Sequence, residues 1–250
     1  MNMFKFIYIA YDNGSRIPGT RLSPFYINQS MNINKDYINY NLYNENYIEA
    51  IKNLQISQDM FFDKLPLVIG GDHSITYMAC HTLAVNKYRL GKILLIFDAH
   101  IDFYPNYDAK VKNWNFIEKI LLENLFEDIY ILGVREHIPL INDHIHIVSV
   151  NEIKKDFNVL KKNTLNKIMK QEVSISIDVD VIDPAIFPGV SYPLDKGLEV
   201  NVIKKILSIV FETCFVKYID IVEFNPMVEN KQSLKEVTSL INYILGQEHI

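Results

Sequence analysis

Short apolar runs recur along the chain, and most of them lack strict alternation between apolar and polar positions. Continuous apolar runs of this length are typical of strands that are covered on both faces of a sheet. The pattern therefore predicts a set of buried strands. The runs begin at Phe4, Pro66, Lys92, Asp128, His144, Val173 and Val216.

Segments with a helical period lie between these runs. In residues 200–213, apolar side chains stand at i, i+3, i+6, i+7 and i+10, which places them on one stripe of a helix. Residues 115–126 and 233–245 have a similar pattern, and Ser233 with Glu236 predicts a capping box for the second. The alternation of strand and helix predicts an α/β fold with a mostly parallel sheet wrapped by helices. The polar segment 28–46 is predicted to be an irregular surface excursion that leads into a helix.

Length, composition and charge narrow the class of protein. The 250 residues fit one domain, residues 1–250, with an ordinary 49% hydrophobic and 22% charged content. A net charge of -5 without a dense Lys/Arg run argues against nucleic acid or an anionic membrane surface as a partner. The sequence has no run of eighteen apolar residues and no signal-peptide pattern. Cys80 and Cys214 lie in apolar helical surroundings, which favours reduced thiols and a cytoplasmic location.

Acidic residues and histidines follow four of the predicted strands. Ligands of open α/β sheets bind at the carboxyl ends of the strands, so residues at these positions are candidates for chemistry. We expect the four segments to face one crevice. They read GGDHS (Gly70 to Ser74), DAHID (Asp98 to Asp102), IDVDVIDP (Ile177 to Pro184) and EFNP (Glu223 to Pro226).

The composition of these segments indicates a metal site. On an extended chain, residues i and i+2 face the same side, so the ligands within 98–102 and within 178–180 converge if the chain stays extended. Four carboxylates in one crevice raise one another's pKa, and two divalent cations would balance their charge. Carboxylates with a little imidazole suit Mn²⁺, and the thiolates typical of structural zinc sites are absent from these segments. The candidate ligands are His73, Asp98, His100, Asp102, Asp178 and Asp180.

Each segment also has a purely structural interpretation. Asp178 and Asp183 could cap turns before Pro184, and Asp72 could cap a helix that begins near His73. The placement of matched ligands after three different strands favours the metal site. The remaining histidines are interpreted as surface or core residues: His81, His137, His144, His146 and His249.

Together these motifs resemble the signatures of the ureohydrolase superfamily, which includes arginase, agmatinase and formiminoglutamase. The resemblance extends from GTRLSP (Gly19 to Pro24) to the last predicted helix. It implies a three-layer α/β/α fold with two Mn²⁺ ions per chain, bridged by Asp98 and Asp178. One ion would also contact His73 and Asp102, and the other His100 and Asp180.

The resemblance further implies a hydrolase that cleaves a C–N bond of a small guanidino or formimino compound, giving urea or formamide plus an amine. A metal-bridging hydroxide would attack the central carbon, and Glu223 would hold the cationic nitrogen group. Asp102 is a candidate proton donor to the leaving amine. Tyr104, Asn115 and Tyr192 are candidate substrate contacts. Family members are often trimers or hexamers, so we expect a homo-oligomer.

The sequence departs from the family pattern in the segment after DAHID. Residues 105–120 contain no histidine, and Lys112, Asn113, Trp114 or Asn115 stands where the family's proton-shuttle histidine is usual. A metal-binding member without catalytic activity is therefore an alternative function. A single-zinc amide hydrolase of related fold is a third, which the complete second ligand set argues against.

Other departures leave the substrate open. The stretch PGVS (Pro188 to Ser191) is more similar to formiminoglutamase, whereas GGDHS is more similar to arginase and agmatinase. KGL (Lys196 to Leu198) replaces the usual Gly-Gly-Leu.

Overall fold

A computed structural model describes residues 3–31, 37–61, 63–104, 110–136 and 142–247. Within these ranges the strands are β1 (Phe4–Ala10), β2 (Tyr37–Asn41), β3 (Leu65–Ile69), β4 (Ile93–Phe97), β5 (Asp128–Val134), β6 (Ile145–Ser149), β7 (Glu172–Asp178) and β8 (Phe215–Val222). They form one eight-stranded sheet in the order β2-β1-β3-β8-β7-β4-β5-β6, and every pairing is parallel.

The connections between the strands are mostly helical. The α-helices of the described part are α1 (Ser23–Met31), α2 (Tyr47–Asn53), α3 (Ser74–Val85), α4 (Phe116–Leu122), α5 (Val150–Lys155), α6 (Phe157–Leu160), α7 (Asn166–Ile168), α8 (Val200–Thr213) and α9 (Gln232–Leu245). Short 3-10 turns cover Thr20–Leu22, Gln58–Met60 and Val179–Val181, and a π-helical turn covers Lys161–Leu165.

The sheet separates two apolar cores. In β4, Leu95 and Phe97 belong to one core, and Leu94 and Ile96 belong to the other. Helices α1, α5, α8 and α9 close the first core, and α2, α3 and α4 close the second. Both faces of the central strands are therefore buried, which explains their continuous apolar sequence. The three-layer α/β/α prediction is confirmed.

The prediction that segment 28–46 is irregular was wrong in part for its described residues, 28–31 and 37–46; residues 32–36 lie outside the described ranges. It contains the end of α1 and the edge strand β2, which pairs with β1 from Tyr37 opposite Phe6 to Asn41 opposite Ala10. An edge strand bonds to a neighbour on one side only, and the side chains of β2 alternate between exposed and half-buried. Backbone hydrogen bonds to β1 therefore stabilise β2, whose mixed polar and apolar side chains lack the continuous apolar run that predicts a buried strand.

The predicted capping box of α9 was also wrong. The Ser233 hydroxyl accepts a hydrogen bond from the Gly189 backbone at 2.8 Å instead. The carboxylate of Glu229 caps the helix, because it accepts from the backbone N–H groups of Lys231, Gln232 and Ser233. The start of α9 is thereby joined to the PGVS segment beside the candidate site.

Two further observations bear on the predictions about thiols and membranes. Cys80 is buried, Cys214 is half-buried, and both are free thiols. None of the helices in the described ranges is both long enough and apolar enough to cross a bilayer.

Candidate metal centre

The four strands that carry the motifs lie side by side in the sheet, in the order β3-β8-β7-β4. GGDHS follows β3, EFNP follows β8, DAHID follows β4, and IDVDVIDP begins at the end of β7. Because neighbouring parallel strands end at the same edge, the side chains after them meet in one place. The crevice expected from the sequence is therefore present.

His73 lies at the centre of a buried acidic cluster. Its Nδ1 atom is 3.2 Å from an Oδ2 atom of each of Asp98, Asp102 and Asp178. His73 is fully buried, and its Nδ1 and the Oδ2 of Asp98 have no hydrogen-bond partner of good geometry. Buried polar atoms without a partner cost free energy unless a ligand satisfies them. A metal ion bound among these atoms would provide that partner.

A second group of ligand atoms lies next to the first. His100 Nδ1 is 2.8 Å from Asp180 Oδ2 and 3.6 Å from Asp98 Oδ1. Asp98 thus directs one oxygen to each histidine. The structure contains two groups of metal-binding geometry that share this residue: His73 with Asp98 and Asp178, and His100 with Asp98 and Asp180.

Local turns bring the ligands together. The Asp98 side chain accepts from the His100 backbone at 2.7 Å, and the Asp178 side chain accepts from the Asp180 backbone at 2.8 Å. The two strand ends therefore form the same Asp-x-ligand turn. Asp102 has a left-handed backbone conformation with φ 49°. The ligands were predicted to converge on the condition that the chain stays extended through residue 102. The chain is not extended there, and a turn, not strand alternation, produces the convergence.

A hydrogen-bonded relay behind His73 fixes the protonation of its ring. Ser176 donates its hydroxyl proton to Asp220 Oδ1 at 2.6 Å, so its oxygen accepts from His73 Nε2 at 3.0 Å. When the ring is neutral, as it must be to bind a metal ion, this assignment leaves the lone pair of Nδ1 pointing at the acidic cluster. A histidine that ligates through one nitrogen and donates through the other is the usual arrangement in metal sites.

The pKa values of the ligands respond to burial and to one another. Burial raises the pKa of Asp102 to about 7, and the nearby charge of Asp98 adds to the effect. Burial also raises the pKa of Asp178, again with help from Asp180 and Asp98. At His73 burial lowers the pKa, but the three neighbouring carboxylates raise it well above its usual value. Protons therefore compensate charge in the cluster when metal is absent, and a metal ion must displace them.

Glu223 points into the crevice from the end of β8. Its Oε1 accepts from the His73 backbone at 2.8 Å and from Asn113 Nδ2 at 3.3 Å, while its Oε2 is buried without a partner. Glu223 has φ 66°, a strained conformation for a residue with a side chain. Its backbone donates to the carbonyl of Gly71, where a Cβ would lie 1.7 Å from the Tyr11 carbonyl oxygen. The close packing of the backbone around Gly71 thus orients the Glu223 carboxylate towards the crevice.

A cavity of about 460 Å³ lies over the cluster. We call its ligand-bearing base the floor, which consists of His100, Asp102, Asp178, Asp180 and Glu223. We call the surrounding side chains the rim, which consists of Arg16, Tyr104, Asn113, Trp114, Glu136 and Tyr192. The floor is largely buried, whereas most of the rim is half-buried or exposed.

Comparison with known proteins identifies the family. The model of the arginase family matches residues 3–246. The chain belongs to the arginase family.

Individual relatives of the family agree with this assignment. The arginase of Staphylococcus aureus (strain COL) is 26% identical over 263 residues, covering 95% of this chain and 84% of the relative. The proclavaminate amidino hydrolase from Streptomyces clavuligerus superposes with a TM-score of 0.84 at 21% identity, covering 98% of this chain and 91% of the other. The Trypanosoma cruzi formiminoglutamase with Mn²⁺ superposes with a TM-score of 0.79 at 17% identity, covering 98% and 93%. At these identities the two structures demonstrate the common fold.

Within this arginase-family fold, all of the predicted site residues except Asn115 lie at the cluster or line the cavity. The six candidate ligands and Glu223 meet at the cluster, and Tyr104 and Tyr192 line the cavity. Asn115 is not among the lining residues. It is fully buried, accepts from the Lys112 backbone at 2.7 Å and donates to the Lys110 carbonyl at 3.4 Å. Its contacts brace the loop before α4, so the geometry does not support its prediction as a substrate contact.

Four rim residues were missing from the predicted set of site residues: Arg16, Asn113, Trp114 and Glu136. Asn113, two residues before Asn115, is the amide that reaches Glu223. Glu136 is the second residue after β5, so the rule that selects residues after strands would have found it. Arg16 lies in the turn after β1, far in sequence from the candidate metal ligands, and no sequence pattern marks it.

Proposed function

We propose that this chain is a binuclear Mn²⁺-dependent hydrolase that cleaves a C–N bond of a small guanidino or formimino compound. The observation that carries the proposal is the sharing of Asp98 between two adjacent groups of ligand atoms. The four aspartates of the cluster match the charge of two divalent ions. A ligand set of carboxylates with two imidazoles suits Mn²⁺, and the related formiminoglutamase structure contains that ion.

In this proposal each residue of the cluster has a defined role. One ion would be held by His73, Asp98, Asp102 and Asp178, and the other by Asp98, His100, Asp178 and Asp180. The unpartnered atoms of His73 and Asp98 support the assignment, because a bound cation would satisfy both. The Ser176 relay supports it as well, since it directs the free lone pair of His73 into the cluster.

When bound, a pair of Mn²⁺ ions lowers the pKa of a water molecule, so that hydroxide is available near neutral pH. Glu223 holds the cationic nitrogen group of the substrate through its free Oε2, while the His73 backbone and Asn113 fix its Oε1. This charge-assisted bond presents the central carbon to the floor of the cavity. Asp102 accepts the proton that the attacking water loses and passes it to the leaving nitrogen.

A specific observation keeps a second function open. Asn113 and Trp114 line the cavity in the segment where the family usually has a proton-shuttle histidine, and neither side chain delivers a proton near neutral pH. In this second proposal the chain binds metal and ligand without turnover.

Three further features belong to the proposal. We infer one domain over residues 1–250, a homo-oligomer of three or six chains, and a cytoplasmic location. The relevant partner is the small-molecule substrate. Sedimentation equilibrium of the Mn²⁺-loaded protein tests the assembly, and a monomer at micromolar concentration would contradict it.

The experiment that tests the function is product detection after removal of metal and reloading with Mn²⁺. The panel contains arginine, hydroxyarginine, agmatine, other guanidino acids, guanidinylated peptides and formiminoglutamate. We expect release of urea, hydroxyurea or formamide together with an amine, and loss of that release after chelation. Two Mn²⁺ ions per chain without any product across the panel would favour the non-catalytic alternative.

Matched variants of the IDVDVIDP segment make the experiment specific. Asp178→Asn changes a proposed bridging ligand, whereas Asp183→Asn changes an acid whose Oδ1 caps the Ala185 backbone at 3.0 Å. Because asparagine retains that acceptor, Asp183→Asn should keep normal turnover. Equal losses in the two variants would contradict the assignment of Asp178 to the metal centre.

A further inference from the structure

The rim of the cavity contains a cation that has no assigned role. Among the rim residues of the described structure, Arg16 is the one Lys or Arg side chain, and no ion pair joins it to an acid of the described residues. We propose that Arg16 binds a carboxylate at the end of the substrate that is remote from the metal centre. This inference rests on the proposed function, because the other end of the substrate then reaches Glu223.

The backbone around Arg16 is fixed against the site. Its N–H donates to the Tyr192 hydroxyl at 3.3 Å, and the preceding Ser15 N–H donates to Asp72 at 2.9 Å. The carbonyl of Gly14 accepts from the Asn113 backbone at 3.4 Å, and a Cβ at Gly14 would lie 2.4 Å from Ser74 Oγ. The turn is therefore packed on the residues that form the site, and it presents Arg16 at the cavity.

The acids of the cavity have partners other than Arg16. Two divalent ions offset the four aspartates of the cluster, and Glu223 offsets the cationic group of the substrate. The remaining rim acid, Glu136, is hydrogen-bonded through Oε2 to the Ile101 backbone at 3.1 Å and to the Tyr104 hydroxyl at 3.0 Å. Among the described residues no ion pair joins Arg16 to Glu136, so the guanidinium donors of Arg16 are available to a ligand.

The chemistry of the guanidinium group defines the ligand. A planar guanidinium donates two parallel hydrogen bonds to one carboxylate, and it keeps its charge at every relevant pH. The proposed substrates are therefore guanidino or formimino acids. The corresponding guanidino or formimino compounds without a carboxylate are expected to bind weakly. Arg16 would thus determine specificity within the class of substrates named above.

Ligands that cannot be hydrolysed test this inference separately from catalysis. Calorimetry would compare L-ornithine with 1,4-diaminobutane, and L-glutamate with L-2-aminobutanoate, on the Mn²⁺-loaded full chain. The members of each pair differ by one carboxylate, which is the one remote from the nitrogen that hydrolysis would release. For at least one pair we expect the wild-type protein to prefer the member that carries this carboxylate by about tenfold or more, the range of a hydrogen bond to a charged group.

Variants then assign the preference to one side chain. Arg16→Gln should abolish the preference, and Arg16→Lys should keep part of it, because an ammonium retains the charge without the planar fork. Lys110→Gln is the matched control: it removes one positive charge from an exposed residue outside the cavity lining. It should leave the preference unchanged.

The outcomes separate this inference from the proposed function. Absence of a carboxylate preference in the wild type, its persistence in Arg16→Gln, or an equal loss in Lys110→Gln would overturn the role of Arg16. Turnover that is equally fast for arginine and agmatine would overturn it as well, while supporting the hydrolase. A preference that depends on Arg16, in a protein that hydrolyses nothing on the panel, would support Arg16 and contradict the proposed function.

Discussion

The floor and the rim of the cavity differ in how the chain builds them. The floor lies at the ends of adjacent central strands, its aspartates and Glu223 are buried, and two of its turns repeat the same hydrogen bond. The rim comes from four separate loops and is mostly half-buried or exposed. The scaffold thus dictates the floor, while the rim can change without disturbing the sheet. We infer that the floor sets the type of reaction and the rim selects the substrate.

The largest expected effect is at Asp98 and Asp178, the proposed shared ligands of the cluster in and beneath the floor. Asp98→Ala and Asp178→Ala should each abolish turnover, because each removes a proposed bridge between two ions. The loss should exceed the roughly hundredfold cost of removing an outer partner of a metal ligand. Steady-state rates with elemental analysis of bound Mn²⁺ measure it. A normal rate in either variant would refute the bridging assignment.

A smaller effect is expected one layer behind the floor. Ser176→Ala breaks the link between His73 and Asp220 and should lower Mn²⁺ affinity by about tenfold to a hundredfold. The control is Ser174→Ala on the same strand, which removes a buried bond to the Leu90 carbonyl at 2.6 Å instead. Metal titration of both variants measures the effect. If the two variants lose the same affinity, the relay has no specific role.

Mn²⁺ affinity should also depend on pH. Burial and Asp98 raise the pKa of Asp102 to about 7 in the metal-free protein, so this carboxyl binds a proton as the pH falls through that value. Metal binding must release the proton, and each proton displaced weakens affinity by about tenfold per pH unit below the pKa. Titrations at pH 6 and pH 8 should therefore differ, with tighter binding at pH 8. Equal affinity at both values would show that no proton is displaced.

The smallest effect is expected at the rim. Asn113→His places an imidazole beside Glu223 and adds a group that can transfer protons. We expect the turnover number to rise by no more than about tenfold, because Asp102 is proposed to transfer this proton already, and the Mn²⁺ content to stay unchanged. Trp114→His, at the neighbouring rim position, is the comparison. Loss of bound metal in Asn113→His would contradict the separation of rim from floor.

Sequence reasoning succeeded where buried strands lead into the site. Continuous apolar runs located β1 and β5 to the residue, and the residues at the ends of the strands gave the candidate ligands that meet at the cluster. The two-residue spacing of Asp98 and His100 was informative for a different reason than expected. It reflects a turn closed by the aspartate side chain, and φ 49° at Asp102 completes that turn.

Sequence reasoning failed where long-range packing selects the residue. Asn113 and Asn115 are both amides in one loop, and only the fold decides that the first reaches Glu223 while the second braces the backbone. Arg16 reaches the cavity because Ser15 bonds to Asp72, 57 residues away. No local pattern predicts a contact of that kind.

The number of Mn²⁺ ions bound per chain tests the central claim most directly. The measurement is elemental analysis of the wild-type protein after equilibrium dialysis against saturating Mn²⁺, with Asp98→Ala as the reference. The account predicts two ions per chain in the wild type and a lower number in the variant. One ion per chain at saturation would contradict the two-ion centre and would favour a hydrolase with a single metal.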